Sequence, residues 1–301
     1  MRTIAAALSR SVSSISDELR RNRVRGAYDS RKAAHKAYAR RKYAKYQGMK
    51  IAGHRGLRTF VEELLYDDQS PENIAGRVKK RWVGLPKVSK NSIYRFIRSV
   101  YGRKIESYRN ERKQCAHRRR ARSRPLSNRT FIDKRPKYIN ARKRVGDAEA
   151  DFIVSGKSGR GILLVVVDRK LRTTFIERIL EVSVTNVHRA FLRIQKRFSE
   201  LRTITTDNDI LLRDHQTLAR LLNVRIYFCR PYHSWEKGTV ENTNGVIRKD
   251  IPKGANVSRY SKRFIQKLED KLNWRILKCL NYRTPAEALA AVRKRKKRRS
   301  A

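Results

Sequence analysis

The sequence predicts an α/β chain in two parts. An all-α N-terminal half of helix-turn-helix pairs precedes a core built around a mixed five-stranded sheet. Three observations carry this. Up to about residue 102, apolar residues recur at helical spacing behind Ser or Ser-Pro starts. Beyond residue 140, short β-branched runs alternate with helical patterns. Between the two, residues 103–124 hold ten Lys or Arg and almost no large apolar residue.

The elements follow in order. Ile4, Ala5 and Leu8 make one short helical face, which Ser9-Arg-Ser11 breaks. Ile15 and Leu19 make the inner face of a second helix, with Ser11 or Ser13 as N-cap. This is a first helix-turn-helix over 1–27, offering Ser13, Ser14, Asp17, Arg20 and Arg21 to DNA. A basic helical linker over 28–55 comes next. Leu57, Phe60, Val61, Leu64 and Leu65 then mark an amphipathic helix. Ser70-Pro71 starts another, and Val88 to Ile97 supplies a capped recognition helix with Lys90, Asn91, Tyr94 and Arg95 outward. Together these make a second helix-turn-helix over 56–102, with a loop at 82–87. Residues 103–140 read as a basic linker ordered only on DNA.

The core is expected over 141–255, with strands at 151–154, 162–167, 173–179, 202–206 and 224–229. Helical spacing covers 184–198, 211–222 and 241–250. The run Ile162 to Val167 is continuous and aliphatic, as in a strand buried on both faces. The Gly-rich turn at 155–161 lies between strands and opens no helix, so it is not a nucleotide cradle. A helical region with a basic tail occupies 256–301, and Arg293 to Arg299 reads as a solvated DNA clamp.

Composition narrows the partners. Of 301 residues, 75 are Lys or Arg and 27 are Asp or Glu, a formal net charge of +48. Self-repulsion of that size calls for a polyanion, and charge spread along the whole length is a nucleic-acid footprint. No apolar run approaches bilayer length, the N-terminus shows no secretory pattern, and no membrane partner is expected. Three scattered cysteines with no Cys-x-x-Cys pair exclude a disulfide framework and a thiolate zinc site. The expected setting is a reducing cytoplasm.

In so basic a chain, three acids need a reason. Asp151 falls on the first core strand, Asp207 ends the fourth, and Glu241 opens the late helix, with 33 residues between the last two. Three carboxylates on different elements suffice to hold two Mg²⁺ or Mn²⁺ ions for phosphodiester chemistry. On the late helix Glu241, Gly245 and Arg248 share a face, so Arg248 can hold a phosphate. Asn208, His215, Asn244 and Gly245 are candidates for site support. Each acid also has an ordinary reading: Asp207 as a turn residue, Glu241 as a carboxylate near a helix N-terminus, Asp151 as an ion-pair partner. Glu149 and Asp168 read as ion-pair partners.

Several segments resemble the DDE transposases of insertion-sequence family thirty, across nearly the whole chain. They include Ser70-Pro-Glu-Asn-Ile-Ala-Gly-Arg77, Gly146-Asp-Ala-Glu-Ala-Asp151, Thr206-Asp-Asn208 and, most specific, Trp235-Glu-Lys-Gly-Thr-Val-Glu-Asn-Thr-Asn-Gly245. The resemblance implies a ribonuclease-H-like core with Asp151, Asp207 and Glu241 as catalytic, metal-holding triad. It further implies binding to the element's terminal inverted repeats, metal-dependent strand cleavage and strand transfer, by a homodimer or higher oligomer on double-stranded DNA. The address it implies is bacterial and nucleoid-associated. The chain departs from the family where Ala148 replaces a usual Trp, and where Asp209, Leu211 and Leu212 replace a usual Gly and Glu-Phe. It departs again at Asp17, where a basic residue is common. Two other readings stay open: a catalytically silent DNA-binding derivative, and a basic RNA-associated protein.

Overall fold

The computed structural model describes residues 1–24, 26–43, 49–81, 84–112, 128–156, 159–230 and 233–300. Arg25, Cys115 and parts of the expected linkers at 44–48 and 113–127, of the loop at 82–83 and of the Gly-rich turn at 157–158 lie outside them. Among the described residues no helix is long and apolar enough to cross a membrane.

The N-terminal pair forms as α1 (Arg2–Ala7) and α2 (Val12–Asn22), with Ser11 Oγ accepting the Ser14 N–H at 3.1 Å. The expected inner face does not close over α1: Ile4 and Leu8 are exposed and only Ala5 is buried. A six-residue helix offers too little surface to bury both ends of its apolar stripe. Helix α3 spans Ser30–Tyr43.

Helices α4 (Met49–Ala52), α5 (Arg55–Tyr66), α6 (Pro71–Arg81), α7 (Lys90–Ile97) and α8 (Arg103–Glu111) share a second core. Ile51, Leu57, Val61, Leu65, Ile74, Ile93, Phe96 and Ile105 are all buried in it. Ser89 caps α7 through the Ser92 N–H at 3.1 Å. The expectation of a linker from residue 103 is corrected here. Residues 103–111 are helical because Ile105 enters this core and Tyr108 packs edge-on against Tyr66; one buried residue per helix outweighs a basic composition. The linker expectation also misses Arg135 and the short helix α9 (Lys137–Asn140), whose Ile139 is buried with Arg135 against the sheet domain.

The sheet holds β1 (Asp147–Val154), β2 (Ile162–Asp168), β3 (Thr174–Ile179), β4 (Thr203–Thr206) and β5 (Arg225–Phe228) in the order β3-β2-β1-β4-β5. The first three run antiparallel and β1, β4 and β5 run parallel, the mixed sheet expected and the arrangement of a ribonuclease-H-like core. The two faces of β2 serve two layers. Leu164 and Val166 pack with α10 (Val184–Arg197) and α11 (His215–Leu222). Leu163, Val165 and Val167 pack with α12 (Gly238–Ile247) and α13 (Lys262–Asn273). β1 begins four residues earlier than its apolar stretch suggests, because Asp147 and Glu149 are fully buried strand residues with partners.

Helix α6 docks on the segment leading into α14 (Pro285–Ser300). Asn73 Nδ2 donates to the Ile276 carbonyl at 2.6 Å, the buried Gln69 Oε1 accepts from the Ile276 N–H at 3.1 Å, and Arg77 pairs with Glu287. A Cβ on Gly76 would lie 1.9 Å from the Tyr282 ring, so only glycine admits that ring. Within the tail, Arg293 is bonded to Glu200 and to the Arg197 carbonyl, so the clamp reading of 293–299 loses its first residue to the core.

Candidate active site

The register of the sheet brings the first two acids together. Asp147 lies opposite Thr203 and Glu149 opposite Thr205 in the parallel β1–β4 pair. Two residues further on, the same register sets Asp151 beside Asp207, on neighbouring strands about 4.8 Å apart. Alternation along β1 puts Asp147, Glu149 and Asp151 on the face toward α12, whereas Ala148 and Ala150 join the opposite layer.

Helix α12 is fixed over this face at two points. Its N-terminus has no local side-chain cap. Instead Glu149 Oε2 accepts the N–H groups of Thr239 at 2.8 Å and Val240 at 3.0 Å, while Oε1 pairs with the buried Arg169 at 3.0 Å. One turn and a half along, Asn244 Nδ2 donates to Asp151 Oδ2 at 2.7 Å. Glu241 lies between these points, on the helical face that also carries Lys237, Asn244 and Arg248.

Lys237 joins the acids. Its ammonium donates to Asp151 at 2.8 Å and lies 2.9 Å from Asp207, with the side chain almost fully buried. Burial pulls Lys237 down, but Asp151 and then Asp207 outweigh it and hold the ammonium above its ordinary range. Burial raises Asp151 above the usual carboxylate range, against Lys237 and aided by Asp207. Asp209 is raised too, by burial and then by Asp207 and Asp151, against the Leu211 N–H that it accepts. Among the described residues, no three His, Cys, Asp or Glu side chains are grouped as a metal cluster: the lysine sits between the first two acids.

The oxygen donors brought together here are of the kind hard cations take: Asp151 and Asp207 share the Lys237 ammonium, and Asp207 Oδ1 and Asn244 Oδ1 are buried with no hydrogen-bond partner.

The remaining candidates separate. Asn208 Nδ2 donates to the Cys229 carbonyl at 2.9 Å and its Oδ1 accepts from Arg129, which fixes the β4 end to the β5 end. His215 Nε2 meets the Asn128 carbonyl at 3.1 Å and its ring packs edge-on to Phe228, a role in packing. Gly245 faces open space. Burial holds the Arg248 guanidinium below its ordinary range, against the charge of Asp151. Asp168 accepts the N–H groups of Gly146, Lys170 and Leu171, which corrects its ion-pair reading: it caps a turn. Of the departures, Ala148 and Leu212 are core residues, and only Asp209 reaches the site electrostatically.

Lys90, Asn91, Tyr94 and Arg95 of α7 are exposed, as are Ser13, Ser14, Arg20 and Arg21 of α2, and Asp17 pairs with Arg20 at 2.7 Å. Lys237 and the capping of α12 by Glu149 escape a sequence reading. The only signal is the spacing of Lys237, one turn before Glu241.

No family model matches the chain. Curated relatives do. The transposase of element IS4351 from Bacteroides fragilis is 35% identical over 95% of this chain and 88% of its own length. That of IS1086 from Cupriavidus metallidurans is 30% identical over 97% and 89%, and InsI of IS30A from Escherichia coli is 33% identical over 96% and 78%. Among solved structures, the catalytic core of bovine immunodeficiency virus integrase aligns with a TM-score of 0.38 at 17% identity, covering 50% of this chain and 97% of that one. A simian T-cell lymphotropic virus intasome chain aligns with a TM-score of 0.40 at 15% identity, covering 64% and 68%.

The curated relatives define a DNA transposase, an enzyme of DNA integration and recombination. The chain belongs to insertion-sequence family thirty and related insertion-sequence transposases. A catalytically silent DNA-binding derivative is not favoured.

Proposed function

We propose that the chain cuts and joins DNA at the ends of its own insertion sequence with Asp151, Asp207 and Glu241 as the catalytic, metal-holding acids. The observation that supports this best is the Asp151–Lys237–Asp207 bridge beneath the helix that carries Glu241. The three carboxylates would hold two Mg²⁺ or Mn²⁺ ions, which when bound activate the attacking oxygen and stabilise the leaving one.

The chain's own residues do the rest. Arg248, on the face of Glu241, holds a phosphate oxygen beside the reacting centre, and the open flank at Gly245 lets the DNA backbone approach. A water oxygen attacks phosphorus at the element end and the 3′ oxygen leaves as a hydroxyl. That hydroxyl then attacks a target phosphodiester in line, forming one P–O bond as another breaks. Helix α7, through Lys90, Asn91, Tyr94 and Arg95, reads the terminal inverted repeat. Helix α2 adds Ser13, Ser14, Arg20 and Arg21, with Asp17 orienting Arg20. Two ends must be handled together, so the working form is at least a homodimer on DNA.

The test is cleavage and strand transfer on DNA carrying the native flanking ends with Mg²⁺ or Mn²⁺, comparing wild type with Asp207→Asn. Metal-dependent nicking lost in the variant, with DNA binding kept, is expected. Binding without cleavage in either protein would return the silent derivative as the better reading.

A further inference from the structure

Helix α12 has a second face. Lys237, Glu241, Asn244 and Arg248 occupy one side, while Thr239, Asn242 and Thr243 lie on the side away from them. On that side opens a cavity of about 330 Å³, lined by Arg142, Arg172, Arg275, Thr174, Asn242 and Thr243 among others and by no Asp or Glu. Elsewhere arginines at the core meet acids, as the buried Arg169 meets Glu149 and the half-buried Arg197 meets Glu269. In this cavity the exposed Arg142 and the half-buried Arg172 and Arg275 form no ion pair with a described residue. The Arg142 guanidinium makes no hydrogen bond or ion pair to a described residue. The Arg275 Nε is buried without a partner. Arg172 makes one bond, from Nη1 to Thr239 Oγ1 at 2.8 Å.

Arg142 and Arg172 repel: burial, then Arg172 and Arg169, hold Arg142 below the ordinary guanidinium range, against the charge of Glu149. Burial lowers Arg275 as well, against the charges of Asp68 and Asp67. Arg142 and Arg172 also carry positive φ, +53° and +61°, a region that costs a side-chain-bearing residue strain. An anion with several oxygens would relieve the repulsion, and guanidinium forks with Asn and Thr donors suit a phosphate.

We propose that this cavity is a phosphate-binding site that grips one backbone phosphodiester of the processed DNA, on the side of α12 away from the catalytic acids. The DNA assignment rests on the transposase reading above. A helix with its side chains is about 10–12 Å across. That width sets the gripped phosphate within a few nucleotides of the cut. Held there, the strand braces the helix that positions Glu241.

The test is ethylation interference on duplex DNA bearing the element's own end. It compares the full-length wild type with Arg142→Gln/Arg275→Gln and with a charge-matched control on exposed α13, Lys262→Gln/Lys267→Gln. The expected result is one phosphate near the cut whose ethylation blocks wild type and control but not the cavity variant, and a salt slope lower by about 0.9 for that variant. Arg142→Lys/Arg275→Lys should restore part of the interference, which separates a site from misfolding. Identical patterns in wild type and cavity variant overturn the proposal. So does inorganic phosphate stabilising wild type but not the variant while the interference pattern stays the same, because that assigns the cavity to a free anion. Only binding is read, so a failure of cleavage in Asp207→Asn or in wild type leaves this outcome separate.

Discussion

Glu149 and Thr239 stand 90 residues apart in sequence and 2.8 Å apart in space, where the strand carboxylate accepts the N–H at the start of the helix that carries Glu241. The same carboxylate neutralises the buried Arg169. A buried acid thus sets the height and direction of α12 over the sheet. Glu149→Ala removes the cap and strands a buried arginine. Such a change costs about 3–5 kcal/mol, read by denaturant unfolding. An effect under about 1 kcal/mol, the scale of a lone cap, would show that Arg169 finds another partner.

Lys237 is the cation that lets Asp151 and Asp207 stand side by side. Lys237→Met leaves two acids facing each other. Without divalent ions the variant should lose up to about 3 kcal/mol, and Mg²⁺ or Mn²⁺ should return most of it. Melting curves with and without metal decide this. If metal leaves both proteins unchanged, the acids do not form a cation site.

At Gly76 the usual sign of a helix substitution should reverse. Gly→Ala inside a helix ordinarily stabilises by about 1 kcal/mol. Here the added methyl meets the Tyr282 ring, so Gly76→Ala should loosen the docking of α6 on the C-terminal segment. In a Tyr282→Ala background the same change should stabilise. Thermal melts of the four proteins form the cycle, and equal effects in both backgrounds would falsify the socket.

The contact between Arg77 and Glu287 gives that docking a pH dependence. Hydrogen bonding to Arg77 holds Glu287 below the usual glutamate range. Its contribution is therefore complete above about pH 4.3, the ordinary glutamate value, and disappears as pH falls through the lower folded value. The stability gap between wild type and Glu287→Gln should narrow from neutral pH toward about pH 3. A gap that widens on acidification would contradict the assignment.

Much of the architecture was legible in local pattern. Five strands, their order along the chain, and the two-faced burial of Ile162 to Val167 follow from β-branched runs and their spacing. Caps at Ser11 and Ser89 follow from Ser before an apolar period. The failures share a cause. Residues 103–111 read as linker, and the first core strand reads as starting only at 151, because a charged residue in sequence carries no sign of its burial. Each has partners from elsewhere along the chain: the α5 and α7 layer for Ile105, Thr203 for Asp147, Arg169 and the start of α12 for Glu149.

By itself, the sequence determined most of the elements and their order, the need for a polyanionic partner set by a charge of +48, and which three acids stand out in so basic a chain. Periodicity, capping and net charge are properties of neighbouring residues. The tertiary structure alone decided that Lys237 lies between Asp151 and Asp207, that Glu149 caps α12, and that Arg142, Arg172 and Arg275 share a cavity without an acid. Those relations depend on strand register and on helices packed over a sheet, where a shift of one residue moves a side chain to the other face.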